Sequence, residues 1–499
     1  MPRSLLGIDL GSSSVKVSFI DADTGITLAH ASAPQTEMEI MSPEPGFAEQ
    51  HPDEWWKHAV TAVREAISKG NIRIDEVMGI GIAYQMHGLV VVDKEQNVLR
   101  PSIIWCDSRA VSIGERAAEH LGHRYCLDHF LNSPGNFTAS KLTWVKENEP
   151  QVFDRIDKVM LPGDYLAMRL TGEVVTTISG LSEGIFWDFQ KQSIADSLLK
   201  EYGIPKEMLA TAVPAFAVQG TLTVKAADEL GLRAGTPVAY RAGDQPNNAF
   251  SLKALHPGEV AATAGTSGVI YAITDKPAAD LQSRVNTFVH VNNTPMLERN
   301  GVLLCVNGTG IMNSWLRKIV SSSGNMISYA ELNELASQIS PGADGLIVLP
   351  FGNGAERMLN NKNIGANIHG LDLNRHTSAH LSRAVQEGIV YALGYGFGIM
   401  NDMGIRPTVI RAGHANMFLS EVFCEAFVNV TGAALELYNT DGSQGAARGA
   451  GVGIGYYQKP EDAFISLKSL RRYEPDELKS AKYAGAFERW KHQLNQQLT

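Results

Sequence analysis

Cysteine is scarce in this chain. Cys106, Cys126, Cys305 and Cys424 are scattered through 499 residues with no CxxC pair and no Cys/His zinc spacing. A disulfide scaffold is excluded, and reduced thiols in a cytoplasmic protein are the simplest reading. Long apolar runs are missing too: nothing approaches the roughly 18 uninterrupted apolar residues of a membrane helix. The N-terminal stretch MPRSLLGIDLGSSS reaches Asp9 before a secretory h-region can form, so neither a signal peptide nor a membrane partner is expected. Positive charge is in deficit, 43 Lys+Arg against 53 Asp+Glu. An acidic surface repels phosphodiester backbones, which argues against nucleic acid, whereas local loops can still hold a small nucleotide. The common nucleotide fingerprints are absent as well. There is no GxxxxGK[ST], and Gly79 and Gly81 are followed by Tyr84 where GxGxxG needs its third glycine. A Walker-type site and dinucleotide-dependent hydride transfer both lose their basis. HExxH, GxSxG and metal-ligand clusters are also lacking.

What is present is a large apolar fraction, 44%, with 19% charged residues, the balance of a globular protein with a sizeable core. Short strands are expected at 5–10, 15–20 and 27–32, joined by tight turns into a meander. A helix follows 51–53, with Asp53 as its cap and Trp55, Trp56, Ala59, Val60, Val63, Ala66 and Ile67 at helical spacing. Further strands are expected at 77–83, 90–92, 236–240, 260–264, 269–273, 346–349 and 408–410. Helices are expected at 109–121, 139–148, 164–170, 311–319, 329–338, 377–403 and 420–430, with a surface helix at 476–497. Strand meanders and βα units in both halves give an α/β protein.

One internal similarity stands out. Leu10-Gly11-Ser12-Ser13-Ser14-Val15 resembles Ala264-Gly265-Thr266-Ser267-Gly268-Val269, half a chain later. Each is a strand, a Gly-Ser/Thr turn and a returning strand, which points to two similar domains facing a cleft. Such turns aim N–H groups and hydroxyls at one spot, a nest for phosphate oxygens. A single one would be read as an ordinary hairpin; two matched ones, the first preceded by Asp9, favour phosphate. Asp244 lies at a strand end in Gly243-Asp244-Gln245, where α/β folds place ligands. It could take a hydroxyl proton or cap the next helix, and the two readings are level. Gln85-Met86-His87-Gly88 also follows a buried strand and could line a polyol pocket, though a lone histidine is more often simply satisfied. Arg109 could reach an anion, but an arginine near a helix start more often forms an ion pair.

Together these pieces resemble the FGGY carbohydrate kinases, over nearly the whole chain. GIDLGSSSVKV at 7–17 resembles the family's first phosphate loop. EQHPDEWW at 49–56, QMHGLVVVD at 85–93, RPSIIWCDSR at 100–109, FTASKLTWV at 137–145 and VMLPGDYLAMRLTGE at 159–173 resemble its xylulokinase members. AGDQ at 242–245 resembles the catalytic-aspartate segment, AGTSGV at 264–269 the second phosphate loop, and QGAARGAG at 444–451 a helix near the nucleotide.

The resemblance implies an α/β fold of two actin/hexokinase/Hsp70-like ATPase domains flanking a central cleft, residues 1–246 and 247–499. It implies ATP-dependent phosphorylation of a ketose hydroxyl, D-xylulose foremost, with Mg2+. By the same resemblance Asp244 is the general base. Asp9 lies near the metal, through water, and the γ-phosphate. Gln85, Met86, His87 and Gly88 contact the sugar. Gly11, Ser12, Ser13, Gly265, Thr266 and Ser267 surround the phosphates, and Gly310, Gly413 and Asn416 lie near the nucleoside. A homodimer is implied in the same way. The family's GGGARS is here Arg411-Ala412-Gly413-His414-Ala415-Asn416, with bulkier residues at 411 and 414. GERTPH becomes Gly354-Ala355-Glu356-Arg357-Met358-Leu359, LPKDY becomes Leu161-Pro162-Gly163-Asp164-Tyr165, and GDNAAGA becomes Gly243-Asp244-Gln245-Pro246-Asn247-Asn248-Ala249. These departures keep ribulose, gluconate, autoinducer-2 and polyols open as acceptors. A non-catalytic sensor of the same fold is a further alternative, disfavoured by the two carboxylates in matching motifs.

Overall fold

The computed structural model describes residues 3–321 and 326–499. Ser4–Leu10 (β1), Val15–Asp21 (β2) and Thr27–Ala33 (β3) form the expected antiparallel meander. Pro52–Gly70 (α1) follows, then Val77–Tyr84 (β4), which pairs parallel to β1. Thr138–Asn148 (α2) and Pro162–Thr171 (α3) precede Phe216–Thr221 (β5) and Pro237–Gly243 (β6). The sheet order is β5-β6-β4-β1-β2-β3.

After Asp244–Ser251 (α4) the pattern starts again with Val260–Ala264 (β7), Gly268–Thr274 (β8), Asn286–Val289 (β9) and Asn300–Val306 (β10). Gly310–Val320 (α5), Tyr329–Ser337 (α6) and the long Ser378–Asp402 (α7) lead to Val409–Gly413 (β11). Glu421–Thr431 (α8), Ala434–Tyr438 (β12), Gly442–Gly453 (α9), Ser469–Tyr473 (β13) and Glu477–Leu498 (α10) complete the chain. The second sheet runs β9-β10-β8-β7-β11-β12-β13. With β9 set aside, its order and strand directions repeat those of the first sheet, so β7 and β8 stand where β1 and β2 stand.

β1 and β4 are buried on both faces, which is why they read as near-continuous apolar runs. On one face lie α1 and α3, whose Trp55, Ala59, Val63, Tyr165 and Leu166 join Ile8, Val17 and Ile80 in one core. The other face is covered by α9, a helix from the far half of the chain. Its glycines and alanines let it lie almost against the sheet backbone. A Cβ on Gly7 would come within 1.8 Å of the Ser443 carbonyl oxygen, and one on Gly81 within 1.9 Å of that of Ala446.

Two expectations need correction. Asp53 does not cap α1: His51 holds the cap position without a side-chain bond, Pro52 fills the first turn, and Asp53 accepts from Tyr165 and Arg169 instead. Pro52 supplies the start signal because its missing N–H costs nothing there. Nor is the last helix only a surface element. α10 buries Tyr483, Ala486, Trp490 and Leu494 in the second core, and the Trp490 indole donates to the Val348 carbonyl at 2.8 Å.

Candidate active site

Each sheet carries one Gly-Ser/Thr hairpin, β1–β2 in the first and β7–β8 in the second. In the first, Gly11 closes the turn by donating to the Ser14 carbonyl at 3.0 Å. The first lobe fixes the turn further: the Gln50 side chain donates to the Ser12 carbonyl at 2.7 Å, and the Met38 backbone N–H donates to the Ser13 carbonyl at 2.8 Å. In the second, helix α5 supports the hairpin directly. Gly310 and Ile311 donate to the carbonyls of Gly265 and Thr266, at 2.9 and 3.1 Å. A Cβ on Gly310 would come within 2.2 Å of the Gly265 oxygen, so only glycine permits this seat. Asn416, in a left-handed conformation, reaches the same hairpin.

Asp9 is the penultimate residue of β1 and Asp244 the first residue of α4, directly after β6. The helix-cap reading of Asp244 fails, since Gly243 holds that position. The two carboxylates feel one another. Burial, then the charge of Asp9, pushes Asp244 up to about 7. Burial pushes Asp9 up to about 6, with Lys16 opposing and Asp441 adding to the rise. Asp441 caps α9, whose first residue, Gly442, leaves room for the Asp9 carboxylate: a Cβ there would come within 2.3 Å of it. Asp244 also acts on the Cys305 thiol of β10, which hydrogen-bonds Ser267 of the second hairpin. Asp9 of the first hairpin's leading strand, Asp244 and, through Cys305, Ser267 of the second hairpin are thus neighbours.

The sugar-loop candidates lie beside these residues. Gln85 donates from its backbone to the Leu10 carbonyl at 2.7 Å and from its side chain to Gln50 at 3.1 Å, tying this loop to the first hairpin. Met86 is buried against Gly243. Gly88 leaves room for Pro162, whose ring a Cβ would approach to 2.5 Å. His87 has a φ of 61°, a left-handed conformation that costs a non-glycine residue energy. Two buried groups hold it there. Glu183 accepts from the His87 N–H at 3.2 Å, and Lys141 of α2 donates to the His87 carbonyl at 2.9 Å. The His87 ring nitrogen Nδ1 lies 3.0 Å from the Glu183 carbonyl, which can only accept, so Nδ1 carries the proton and Nε2 is an acceptor. Burial, then the Lys141 charge, lowers the imidazole pKa to about 3, so the ring is neutral.

Sequence reasoning missed Gln50, Lys141 and Glu183. All three lie inside or near motifs whose pattern is visible but whose contacts are not. Glu183 has no charged partner in the sequence around it. Burial holds its carboxyl well above the ordinary range, and the Asp244 and Asp164 charges add to this. Arg109 is an ion-pair residue, not a ligand: its guanidinium is buried against Asp107 and Glu49, both at 2.7 Å.

Family models for the FGGY family of carbohydrate kinases match this chain twice, the N-terminal domain over residues 4–251 and the C-terminal domain over 260–452. The chain belongs to the FGGY family of carbohydrate kinases. It is a phosphotransferase with an alcohol group as acceptor, and the family supplies ATP as donor and a sugar as acceptor. It is 29% identical to the xylulose kinase of Escherichia coli K12 over 97% of this chain and 96% of that one. The crystal structure of the Rhodospirillum rubrum xylulose kinase superposes with a TM-score of 0.86 at 26% identity, covering 99% of both chains. The gluconate kinase of Lactobacillus acidophilus gives 0.89 at 20% identity, covering 100% of this chain and 99% of that one, a likeness of fold.

An FGGY kinase needs room for a nucleoside beyond its phosphates. A cavity of about 800 Å3 opens from Thr266 and Gly310 toward α6 and is lined also by Asn416, Met417 and Asn333. Gly413 stands at the end of β11 beside Thr440, outside this lining. Arg411, one of the two bulky departures, turns away from it. It pairs with Glu259 at 3.0 Å and Glu436 at 3.6 Å on the other side of the strand. Of the departures after Asp244, Gln245 hydrogen-bonds the Asp244 carboxylate itself and opposes the rise in its pKa, while Asn247 donates to the Gly442 carbonyl at 2.8 Å, fastening α4 to α9. Glu356 accepts from the Asn307 and Gly308 N–H groups, bracing the loop before α5. Among the described residues no helix is long and apolar enough to cross a membrane.

Proposed function

We propose that this FGGY kinase transfers the γ-phosphoryl group of ATP to a terminal hydroxyl of D-xylulose. The full-length likeness to xylulose kinases, carried by QMHG beside Asp244, is the observation that supports this acceptor. We take residues 1–246 and 247–499 as the two functional units, the second lending α9 to the first. The acceptor hydroxyl lies against Asp244, whose carboxylate takes its proton as the new P–O bond forms. Its apparent pKa of about 7 matches that task better than an ordinary aspartate would. His87 Nε2 accepts from a second sugar hydroxyl, and Met86 and Gly88 shape the pocket floor. Gly11, Ser12 and Ser13 meet the transferred phosphoryl group from one side, Gly265, Thr266 and Ser267 from the other. Protein effort goes into positioning and charge neutralisation, which is what phosphoryl transfer demands.

Mg2+ suits this site. Asp9, with Asp441 behind it, offers hard carboxylate oxygens, and Mg2+ takes one or two carboxylates plus phosphate oxygens and water rather than a full protein cage. When bound, the ion neutralises charge on the phosphates. Lobe closure would then exclude water that competes for the phosphoryl group. We place the enzyme in the cytoplasm as a homodimer, on family resemblance; sedimentation equilibrium tests the second point.

The deciding experiment is a panel of acceptors in a coupled ADP-release assay with ATP and Mg2+. D-xylulose is expected to give the highest kcat/KM. A higher value for ribulose, gluconate or a polyol would replace the acceptor and leave the reaction type intact. ATP binding without turnover on any acceptor would favour the sensor reading.

A further inference from the structure

A chain of three polar side chains, whose hydrogen bonds strongly prefer one direction, ends at the wall of the nucleoside cavity in Asn333. It begins at the N-terminus of α8. Ser420 caps that helix, its hydroxyl oxygen accepting from the Phe423 backbone N–H at 3.3 Å. A backbone N–H can only donate, so the Ser420 proton is free to point elsewhere. It points to the Gln386 side-chain carbonyl, 2.6 Å away on α7. Gln386 is fully buried and accepts there, which turns its NH2 group toward α6. That group donates to the Asn333 side-chain carbonyl at 2.9 Å. Asn333 in turn has its carbonyl occupied and its NH2 group left over. This residue is half-buried and lines the cavity, and its NH2 has no partner among the described residues. A cap on one helix thereby sets which face of an amide two helices away meets the cavity.

The reverse arrangement is poor. Flipping Gln386 would have its NH2 donate to Ser420, whose oxygen already accepts from Phe423, and would leave the serine proton with no acceptor in a buried place. Unmade buried hydrogen bonds cost more than made ones gain, so the observed polarity is strongly preferred.

We propose that the Ser420–Gln386–Asn333 chain is a nucleobase filter, presenting a fixed donor that accepts adenine at its N1 acceptor and rejects guanine, which carries an N–H there. This rests on the reading of the cavity as the seat of the nucleotide's base. Asn333 is the residue that meets the base; Gln386 and Ser420 act through it. Sites built around one hydrogen-bonding group discriminate sharply against a ligand that leaves it unpaired.

Calorimetric binding of ADP and of GDP without sugar tests the filter independently of catalysis. The native protein is expected to bind ADP at least about tenfold more tightly than GDP, the scale of one such hydrogen bond made or lost. Asn333→Asp keeps a carboxylate oxygen for Gln386 and turns an acceptor to the cavity, so the ratio should collapse to near unity or invert. Gln386→Glu, measured at pH 9 where its carboxylate is favoured, leaves only acceptors between Ser420 and Asn333. The Asn333 amide should then flip and the ratio move the same way, although residue 386 does not touch the base. A merely structural role would weaken both nucleotides equally. If Gln386→Glu does not fold, the half-exposed Asn333→Asp decides alone. A native ADP/GDP ratio near unity, or a ratio unmoved by Asn333→Asp, overturns the filter while leaving the cavity's assignment standing. Absence of any nucleotide binding, with ATP-dependent turnover also absent, overturns both.

Discussion

The two lobes share a sheet order and a phosphate-type hairpin, but they hold that hairpin in different ways. In the first lobe the turn is tied by long-range side chains: Gln50 reaches Ser12, Gln85 reaches Gln50, and Trp55 donates to Gln50 at 3.0 Å. In the second, a helix N-terminus two strands later does the same work through the backbone. The covering layer differs as well. The first sheet accepts α9 through glycines that leave no room for a Cβ, while Gly413, at the matching sheet of the second lobe, has its nearest obstacle at 3.6 Å. Equivalent topology therefore does not mean equivalent tolerance. Tightness is a matter of position rather than of lobe: the second half is open at Gly413 but as closely built as the first at Gly301 and Gly310, where a Cβ would come within 1.9 and 2.2 Å of its neighbours.

The largest effect should come from the carboxylate at the junction. Asp244→Asn is expected to lower kcat by about 10³-fold or more, the upper range for loss of a general base. ATP affinity, measured calorimetrically, should change little, because the second-lobe hairpin and cavity are untouched. Near-normal turnover would remove Asp244 from the role of base.

Next comes the packing contrast. Gly81→Ala places a methyl carbon against the Ala446 carbonyl, and Gly413→Ala places one in ordinary contact with Thr440. Overpacking costs typically about 1–3 kcal/mol, and here backbone must yield, so the upper end is expected for Gly81→Ala. Gly413→Ala should stay within about 0.5 kcal/mol. Urea midpoints for both variants measure the difference; equal shifts would erase the contrast between these two positions.

Much of this was legible before the fold was known, and the reason is physical. Strands β1, β2, β7 and β8 announce themselves because both copies are short apolar runs around a Gly-Ser/Thr turn, a local signal. QMHG and AGDQ fall at strand ends, so their location followed from the same runs. What could not be read is what packs on what. Nothing local says that α9 covers the first sheet rather than the second, because its backbone at Ser443 and Ala446 seats against Gly7 and Gly81, hundreds of residues away. Glu183 and Lys141 were invisible as partners of His87 for the same reason, and Trp490 gave no sign that a terminal helix would be half core.

The pH response sharpens the comparison of charge. Asp9 and Asp244 are both raised, to about 6 and about 7, and being near one another they titrate as a pair. Their ionised forms are the ones the proposed mechanism uses. With both substrates sub-saturating, kcat/KM should rise with pH through an apparent pKa near 7. Asp9→Asn removes the neighbouring charge and should move that limb to lower pH in whatever activity remains. Stability runs the other way. A carboxyl whose folded pKa exceeds its unfolded one favours the folded state below the unfolded pKa, and that contribution is lost as pH rises through about 7. A limb that stays in place in Asp9→Asn would show that burial alone sets it.

The last prediction is of a coupling between two positions, at a departure from the family pattern that the first lobe has absorbed. Where the family has LPKDY this chain has Gly163, and a Cβ there would come within 2.1 Å of the Tyr84 ring. Tyr84 precedes Gln85 on β4 and is fully buried, so the tyrosine fills the space that a longer residue at 163 would need. The two positions should therefore be coupled. Gly163→Ala alone is expected to destabilise by about 1–3 kcal/mol through overpacking. Tyr84→Ala alone should cost about 3–5 kcal/mol, as loss of a large buried ring does. Combined, they should cost less than the separate losses together by about 1 kcal/mol, because the added methyl enters the cavity the ring leaves. Strict additivity in urea unfolding would mean the two substitutions are accommodated independently, and the altered motif beside the sugar loop would then lack its compensating partner.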